Sequence, residues 1–414
     1  MRSCVSWVIP PTRLKHFVSN EPRAHAVHDG RYPRVEIIEE GMREGMQIED
    51  ATISVEQKLQ LLDALSATGL KTIVVGSFVS PAWTPQMAQI DELVTRFTPA
   101  PGVIYTALAL NERGRERMRQ YPVLQDPDDV PRTLVHLCDV FVRRNTNRSQ
   151  LDEIERWKSV IERAVSSGAT TAGIAINAAW GSNWLGPFSE EDRTSLLERQ
   201  YEMWRAAGIA VDRVWIGDPM GWNMPHVVAS QLKVIRQRWP EITRFHLHLH
   251  DARGTALLSA YEALTTLGPE CTLVLDTSVG GMGGCPYGGH GRMTRMIPTE
   301  DLVDLLEELG ISTGVNLDRL IEAASLAEQV VGHALWGHVS KAGPRPRGDR
   351  LFPMDLPFIE TEREAQHFRL GPEAYVGARS PWRAPIESPA RARVQETPEA
   401  RAENVLHAST DGNE

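Results

Sequence analysis

Two imidazoles one residue apart, in His248-Leu249-His250-Asp251, are the groups in this chain best spaced to do chemistry together. On a strand, residues i and i+2 project to the same face. Both rings would then point one way and could grip a single divalent ion, leaving coordination positions open to a substrate. The plainer alternative is a pair of packed, hydrogen-bonded histidines. A second candidate is Arg43-Glu44-Gly45-Met46-Gln47, a carboxylate beside a guanidinium at a strand-to-loop exit, which reads either as a site group or as a surface ion pair. The third is Gly280–Gly289, six glycines in ten residues around Cys285. So much glycine costs backbone entropy and needs a reason. A mobile lid that carries one thiol over a substrate is such a reason; a floppy connector is the other.

These groups need a frame that brings distant chain positions together. Strand-like runs occur at Val35–Glu39, Thr72–Val75, Val103–Leu108, Leu134–Phe141, Thr171–Ile176, Ala210–Ile216, Phe245–His250 and Thr272–Leu275. Amphipathic helical segments alternate with them: Ser54–Thr68, Leu151–Val165, Glu190–Ala207, His226–Arg238 and Ala256–Leu267. In the first, Val55, Leu59, Leu62 and Leu65 keep the helical apolar spacing and Gly69 sits where a C-cap glycine belongs. Eight such repeats over ~250 residues fit an α/β fold of the (β/α)₈ TIM-barrel type better than an open sheet. No G-x-G-x-x-G follows the first strand, which argues against a dinucleotide fold. In such a barrel the reacting groups sit at the C-terminal strand ends, where all three candidates fall. The expected domain plan is an N-terminal extension (1–32), the barrel (33–313), further helices packed on it (314–342, with Thr299–Leu309 and Leu317–Val331 helical) and a Pro/Arg-rich tail (343–414). That tail has few large apolar residues and is expected to be largely disordered.

Composition narrows the function classes. A net charge of −10 gives no footprint for nucleic acid or an anionic membrane. No run of ~18 uncharged apolar residues exists to form a transmembrane helix. Cys4, Cys138, Cys271 and Cys285 are too scattered for a disulfide framework or a zinc site. A reducing compartment follows, the cytoplasm first. Mitochondrial import is the alternative, given Arg2, Arg13, Lys15 and Arg23 against one acid, Glu21, in the first 30 residues.

Arg43-Glu44-Gly45, Ser77-Phe78-Val79-Ser80-Pro81 with Trp83 and Pro85-Gln86-Met87, Gly217-Asp218, His248-x-His250-Asp251, Gly283-Gly284-Cys285-Pro286-Tyr287 and Thr299-Glu300-Asp301-Leu302 stand in one order along the chain. That order resembles the 3-hydroxy-3-methylglutaryl-CoA lyase family, from about Val35 to about Ala324. The resemblance implies a TIM barrel, Mg²⁺ or Mn²⁺, an acyl-CoA substrate and a homodimer. Its activity would be cleavage of 3-hydroxy-3-methylglutaryl-CoA, or a related 3-hydroxy acyl-CoA, to acetyl-CoA and a 3-oxo acid. It implies Glu44, His248 and His250 as metal ligands, Arg43 as the group that meets the enolate, and Cys285 as the group that moves a proton at the acetyl carbon. Asp218 and Glu300 match acidic catalytic positions, and Gln47, Ser77 and Glu39 match positions that line the site.

The match has departures. Glu44 stands where the lyases carry Asp, although homocitrate synthases use Arg-Glu-Gly. Val74 replaces an acid expected beside the metal. Met296 replaces an asparagine of the metal shell, in a loop, Gly288–Pro298, two residues longer; His290 or Thr294 would have to substitute. Asn177–Trp184 lacks the lyases' cysteines, and its tryptophans imply a differently shaped mouth. Two other functions stay open: a condensing enzyme of the isopropylmalate, citramalate or homocitrate synthase type, and a barrel kept for binding alone.

Overall fold

The computed structural model describes residues 30–126, 130–288, 294–352, 354, 359 and 361–377. Eight strands carry the architecture: β1 (Arg34–Glu39), β2 (Thr72–Ser77), β3 (Ile104–Leu108), β4 (Arg132–His136), β5 (Thr171–Asn177), β6 (Ala210–Asp218), β7 (Arg244–Leu249) and β8 (Thr272–Thr277). They pair in the order β3–β2–β1–β8–β7–β6–β5–β4, with a two-residue strand, Leu124–Gln125, added beyond β3. All of these pairs are parallel. β1 runs beside β8 from Arg34↔Thr272 to Glu39↔Thr277. The first and last strands therefore meet, as a (β/α)₈ barrel requires.

The helices between them are α1 (Val55–Ser66), α2 (Ile90–Arg96), α3 (Glu112–Met118), α4 (Asp139–Thr146), α5 (Gln150–Ser166), α6 (Glu190–Ala206), α7 (Pro225–Arg238) and α8 (Ala256–Thr266); α9 (Thr299–Glu308) and α10 (Leu317–Val331) follow β8. Alternation decides what faces where. On β7, Phe245, Leu247 and Leu249 are fully buried in the apolar layer shared with α7 and α8. Arg244, His246 and His248 take the opposite, inner face. The inner wall is correspondingly polar: Arg244 pairs with Glu36 of β1 over the intervening β8, and Arg132 stacks over Trp215.

One expected strand is corrected. The sequence reads as one continuous strand over Leu134–Phe141, but the strand stops at His136 and α4 begins at Asp139. The Cys138 thiol caps that helix by accepting the Phe141 N–H, and Asp139 sits in its first turn. The apolar run Val140-Phe141-Val142 mimics a strand, yet Phe141 and Val142 are the buried side of a short helix. The short helices α2 and α3, each of seven residues, also escape a period-based reading because they hold fewer than two full apolar repeats.

Contacts divide the chain after Gly343, into units 1–343 and 344–414. α10 belongs to the first, where Leu317, Leu320 and Ala327 share an apolar cluster with Leu61, Leu62 and Leu65 of α1. In the second unit the described residues form short helical turns such as Glu364–Gln366 and His367–Leu370. Most of the tail, and residues 1–29, lie outside the described residues. Among the described residues no helix is long and apolar enough to cross a membrane.

α1 shows which forces hold this frame. Ser54 and Gln57 form a reciprocal capping box at its start, while Leu61, Leu62 and Leu65 are fully buried. Ser54→Ala should cost about 1 kcal/mol and Leu62→Ala about 2–5 kcal/mol. Urea denaturation of the two variants checks the ranking; an equal or reversed order would place the helix's stability in its cap rather than in packing.

Candidate active site

After β1 the chain makes one π-helical turn, Gly41–Gly45, and one 3₁₀ turn, Met46–Ile48. This tight path turns Arg43 and the buried Glu44 into the barrel mouth. It also presses Gly45 against the loop after β8: a Cβ on Gly45 would lie 2.9 Å from Met282 Cβ, so only glycine fits. Arg43 forms an ion pair with Glu44 and stands 3.7 Å from Glu40 Oε2. Burial pushes the Glu44 pKa up, but the charge of the adjacent Arg43 outweighs it and holds the carboxylate below its ordinary range.

Three inward imidazoles follow along β7 and its exit. His248 Nδ1 meets Asp276 Oδ2 at 2.8 Å, and His246 Nε2 meets Asp276 Oδ1 at 2.7 Å, so one carboxylate of β8 bridges two rings. Burial opposes the His248 cation, yet Asp276 raises its pKa overall. His250 is fully buried and turns Nδ1 to the Thr294 carbonyl. Burial brings its pKa down to about 4, so it is neutral at pH 7. A carbonyl only accepts, so Nδ1 carries the proton, and the lone pair of Nε2 faces Glu44 Oε1 at 3.8 Å. Two acceptors face each other with no proton between them. Ligand atoms about 2.1 Å from a magnesium-sized ion can be up to about 4.2 Å apart, so this pair fits around one cation. The His248 ring, 5.3 Å from that of His250, is the adjacent third donor. Among the described residues no three His, Cys, Asp or Glu groups stand close enough together to hold a metal ion; Glu44 is drawn partly toward Arg43.

Cys285 reaches the mouth from the loop after β8. Gly283 in that loop has φ 115°, and a Cβ on it would come within 3.1 Å of Met296 Cγ and 3.2 Å of Glu44 Cγ. Glycine here is a packing requirement, and Gly280–Gly284 are buried. The thiol lies in a small cluster with Cys138, Phe141, Ala178 and Met220. Burial, with the charges of Glu44 and Asp218 added, pushes its pKa up to about 12. Aromatic residues from the other mouth loops fasten the segment. Asn183 donates to the Tyr287 carbonyl at 3.1 Å and accepts from the Trp222 indole at 3.0 Å. Trp184 packs on Tyr287, and Tyr287 donates to the Arg144 carbonyl.

The acids assigned catalytic or lining roles prove to be bound to backbone. Glu39 accepts the N–H groups of Gly41 and Val279 and the Thr299 hydroxyl. Glu300 accepts the Gly280 N–H at 3.0 Å. Asp218 accepts from Trp222 N, Asn223 N and Asn223 Nδ2. All three are fully buried, and their hydrogen bonds fix the loops around the site. Ser77 is buried at the end of β2, and Gln47 is half-buried on the 3₁₀ turn after Glu44. Val74 and Met296 are both buried. Of the two substitutes considered for the missing asparagine, Thr294 turns its carbonyl to His250 and its hydroxyl to the Cys285 backbone, while His290 lies outside the described residues. Sequence reasoning missed Asp276, a charge inside the apolar run of β8. It also missed Glu40, which continues the inward parity of Glu36, whereas Glu39 has the outward parity.

The profile of the HMGL-like family matches residues 34–327. The chain belongs to this family. It is 32% identical over 311 residues to the mitochondrial hydroxymethylglutaryl-CoA lyase of Homo sapiens, covering 75% of this chain and 89% of that one. It is also 32% identical to the 3-hydroxy-3-isohexenylglutaryl-CoA/hydroxy-methylglutaryl-CoA lyase of Pseudomonas aeruginosa, covering 75% of this chain and 97% of that one. Among solved structures, the HMG-CoA lyase of Bacillus subtilis superposes with a TM-score of 0.62 at 28% identity, over 75% of this chain and 99% of that one. The HMGL-like chain is thus a lyase-type enzyme on a TIM barrel.

Glu39 and Glu300 carry a linkage consequence. Burial, first in both cases, raises their pKa values from 4.5 to about 7 and about 8. The folded state then holds protons that the unfolded chain releases above about pH 4.5, so their stabilising effect is full at low pH and is lost as pH rises toward 8. Glu300→Gln, which keeps an acceptor for Gly280 N–H, should flatten the fall of the urea midpoint between about pH 5 and 8.5. An unchanged pH slope would rule out a protonated Glu300 in the fold.

Proposed function

We propose that the chain is a divalent-cation-dependent carbon–carbon lyase acting on 3-hydroxy-3-methylglutaryl-CoA or a related 3-hydroxy acyl-CoA. The observation that carries this reading is the 3.8 Å gap between the acceptor atoms of Glu44 and His250, with Arg43 paired to Glu44 and Cys285 on the loop after β8, in an HMGL-like barrel. Glu44, His248 and His250 would hold Mg²⁺ or Mn²⁺. When bound, the ion would acidify the substrate's 3-hydroxyl and neutralise its oxygens.

The remaining chemistry falls to protein groups. As a carboxylate of the mouth takes the 3-hydroxyl proton and C3 becomes a carbonyl, the C2–C3 electron pair moves onto the thioester as an enolate. Arg43, already half-buried and charged, meets that developing negative charge, the kind of preorganised contact that usually contributes most. Asp276 keeps His248 in the tautomer with Nε2 free and fixes its ring, as second carboxylates do for metal-binding histidines. With a pKa near 12 the Cys285 thiol is protonated at neutral pH, which suits it to give a proton to C2 and complete the acetyl group. One relative, from Pseudomonas aeruginosa, is a lyase of 3-hydroxy-3-isohexenylglutaryl-CoA as well as of the methyl compound, which favours a site in which the C3 substituent varies between members.

A panel of 3-hydroxy acyl-CoA thioesters should release acetyl-CoA, detected by mass spectrometry, and excess EDTA should stop the release until Mn²⁺ or Mg²⁺ is restored. Free CoA formed from acetyl-CoA and a 2-oxo acid would instead identify a condensing enzyme. Cys285→Ser should abolish turnover while calorimetric Mn²⁺ affinity stays unchanged. Turnover that survives this substitution would remove the thiol from the mechanism.

A further inference from the structure

Glu40 is an acid that no role above uses. It immediately follows β1, and its Oε2 is buried without a hydrogen bond. The nearest cation, Arg43 Nη1, is 3.7 Å away, too far to donate one. Its other charged neighbours are Asp276, His248 and Glu44, the groups that define the mouth. A buried acceptor with no donor is costly and rare, which points to a donor that arrives with the ligands of the site.

Strand register says where that acid stands. β1 pairs with β2 as Ile38↔Thr72 and Glu39↔Ile73, so the next position sets Glu40 beside Val74. Ile73 and Val75 belong to the outer apolar cluster, which leaves Val74 on the inner face. Seen from the barrel axis, β2 offers only an isopropyl group at this level, and the carboxylate comes from the neighbouring strand instead.

We propose that Glu40 is the outer acid of the cation site: from β1 it accepts a hydrogen bond from a water or substrate hydroxyl on the cation that Glu44, His248 and His250 hold. This rests on the cation reading above and adds a residue to it. Glu40 is a positioning residue here, acting through the bound oxygen and through its charge rather than as a ligand.

The test is Mn²⁺ calorimetry on the full chain, with relocation of the charge between the two strands. Glu40→Val should weaken Mn²⁺ binding by about 10- to 100-fold, the usual cost of losing an outer-shell partner. The nearly isosteric Glu40→Gln should weaken it in the same direction, which guards against misfolding as the cause. The double variant Glu40→Val/Val74→Glu should recover most of the lost affinity, a result that a merely structural role for Glu40 would not produce. Wild-type affinity in both single variants, or no recovery in the double variant, overturns the proposal. A wild-type chain that binds no Mn²⁺ overturns the cation reading as well, so the two failures are told apart.

Discussion

Everything at the mouth of this barrel follows from crowding buried polar groups whose hydrogen bonds do not all close: Glu40 Oε2 and Arg43 Nε are both buried there without a partner. Arg43 is a guanidinium that Glu44, Glu40 and Asp276 share as a charged neighbour. Two unit charges about 4 Å apart attract by roughly 4 kcal/mol at an effective dielectric near 20, enough to keep Arg43 charged despite burial. It cannot satisfy every oxygen around it. One Glu44 oxygen is left facing the lone pair of His250, and one Glu40 oxygen is left with no donor. A polar interior with that imbalance is a poor way to stabilise a fold and a good way to receive a cation and an oxygen-rich substrate.

The surrounding loops are arranged so that this imbalance persists. Carboxylates that might have swung inward are held by backbone donors: Glu39 by Gly41 and Val279, Glu300 by Gly280, and Asp218 by Trp222 and Asn223. These bonds tie the turn after β1 to the loop after β8, the two segments that deliver Arg43, Glu44 and Cys285. The glycines serve the same end. Gly45 and Gly283 let two backbones approach to distances that a side chain would forbid.

The barrel was legible because its signals are periodic. Seven of the eight expected strands agree closely with the structure, and the histidine pair falls at the exit of β7, where alternation puts it. What the sequence concealed was non-periodic. α4 hides in an apolar triplet that fits either a strand or a helix, and only its cap at Cys138 separates the two. Roles were harder than places. A motif match marks Glu39, Glu300 and Asp218 as acids near the site, but whether a carboxylate touches ligand or backbone depends on loops distant in sequence. Asp276 and Glu40 were within reach, since a charge in a buried strand must find a partner and strand parity separates Glu40 from Glu39.

The glycine-rich segment sharpens the view of what moves. A thiol with a pKa near 12, packed among Phe141, Ala178 and Met220, is a poor nucleophile and a weak base at neutral pH, because the thiolate is scarce. It is a competent proton donor only to something more basic than itself, and the enolate carbon of the proposed reaction would meet that condition. A closed, dry loop therefore agrees better with proton delivery after bond cleavage than with proton removal before it. In the proposed reaction, the same desolvation that makes the thiol inert in the free protein would keep bulk water from quenching the enolate. Asn183, Trp184 and Tyr287, which draw the loops after β5 and β8 together, then matter to chemistry through the dryness they impose as much as through the position of sulfur.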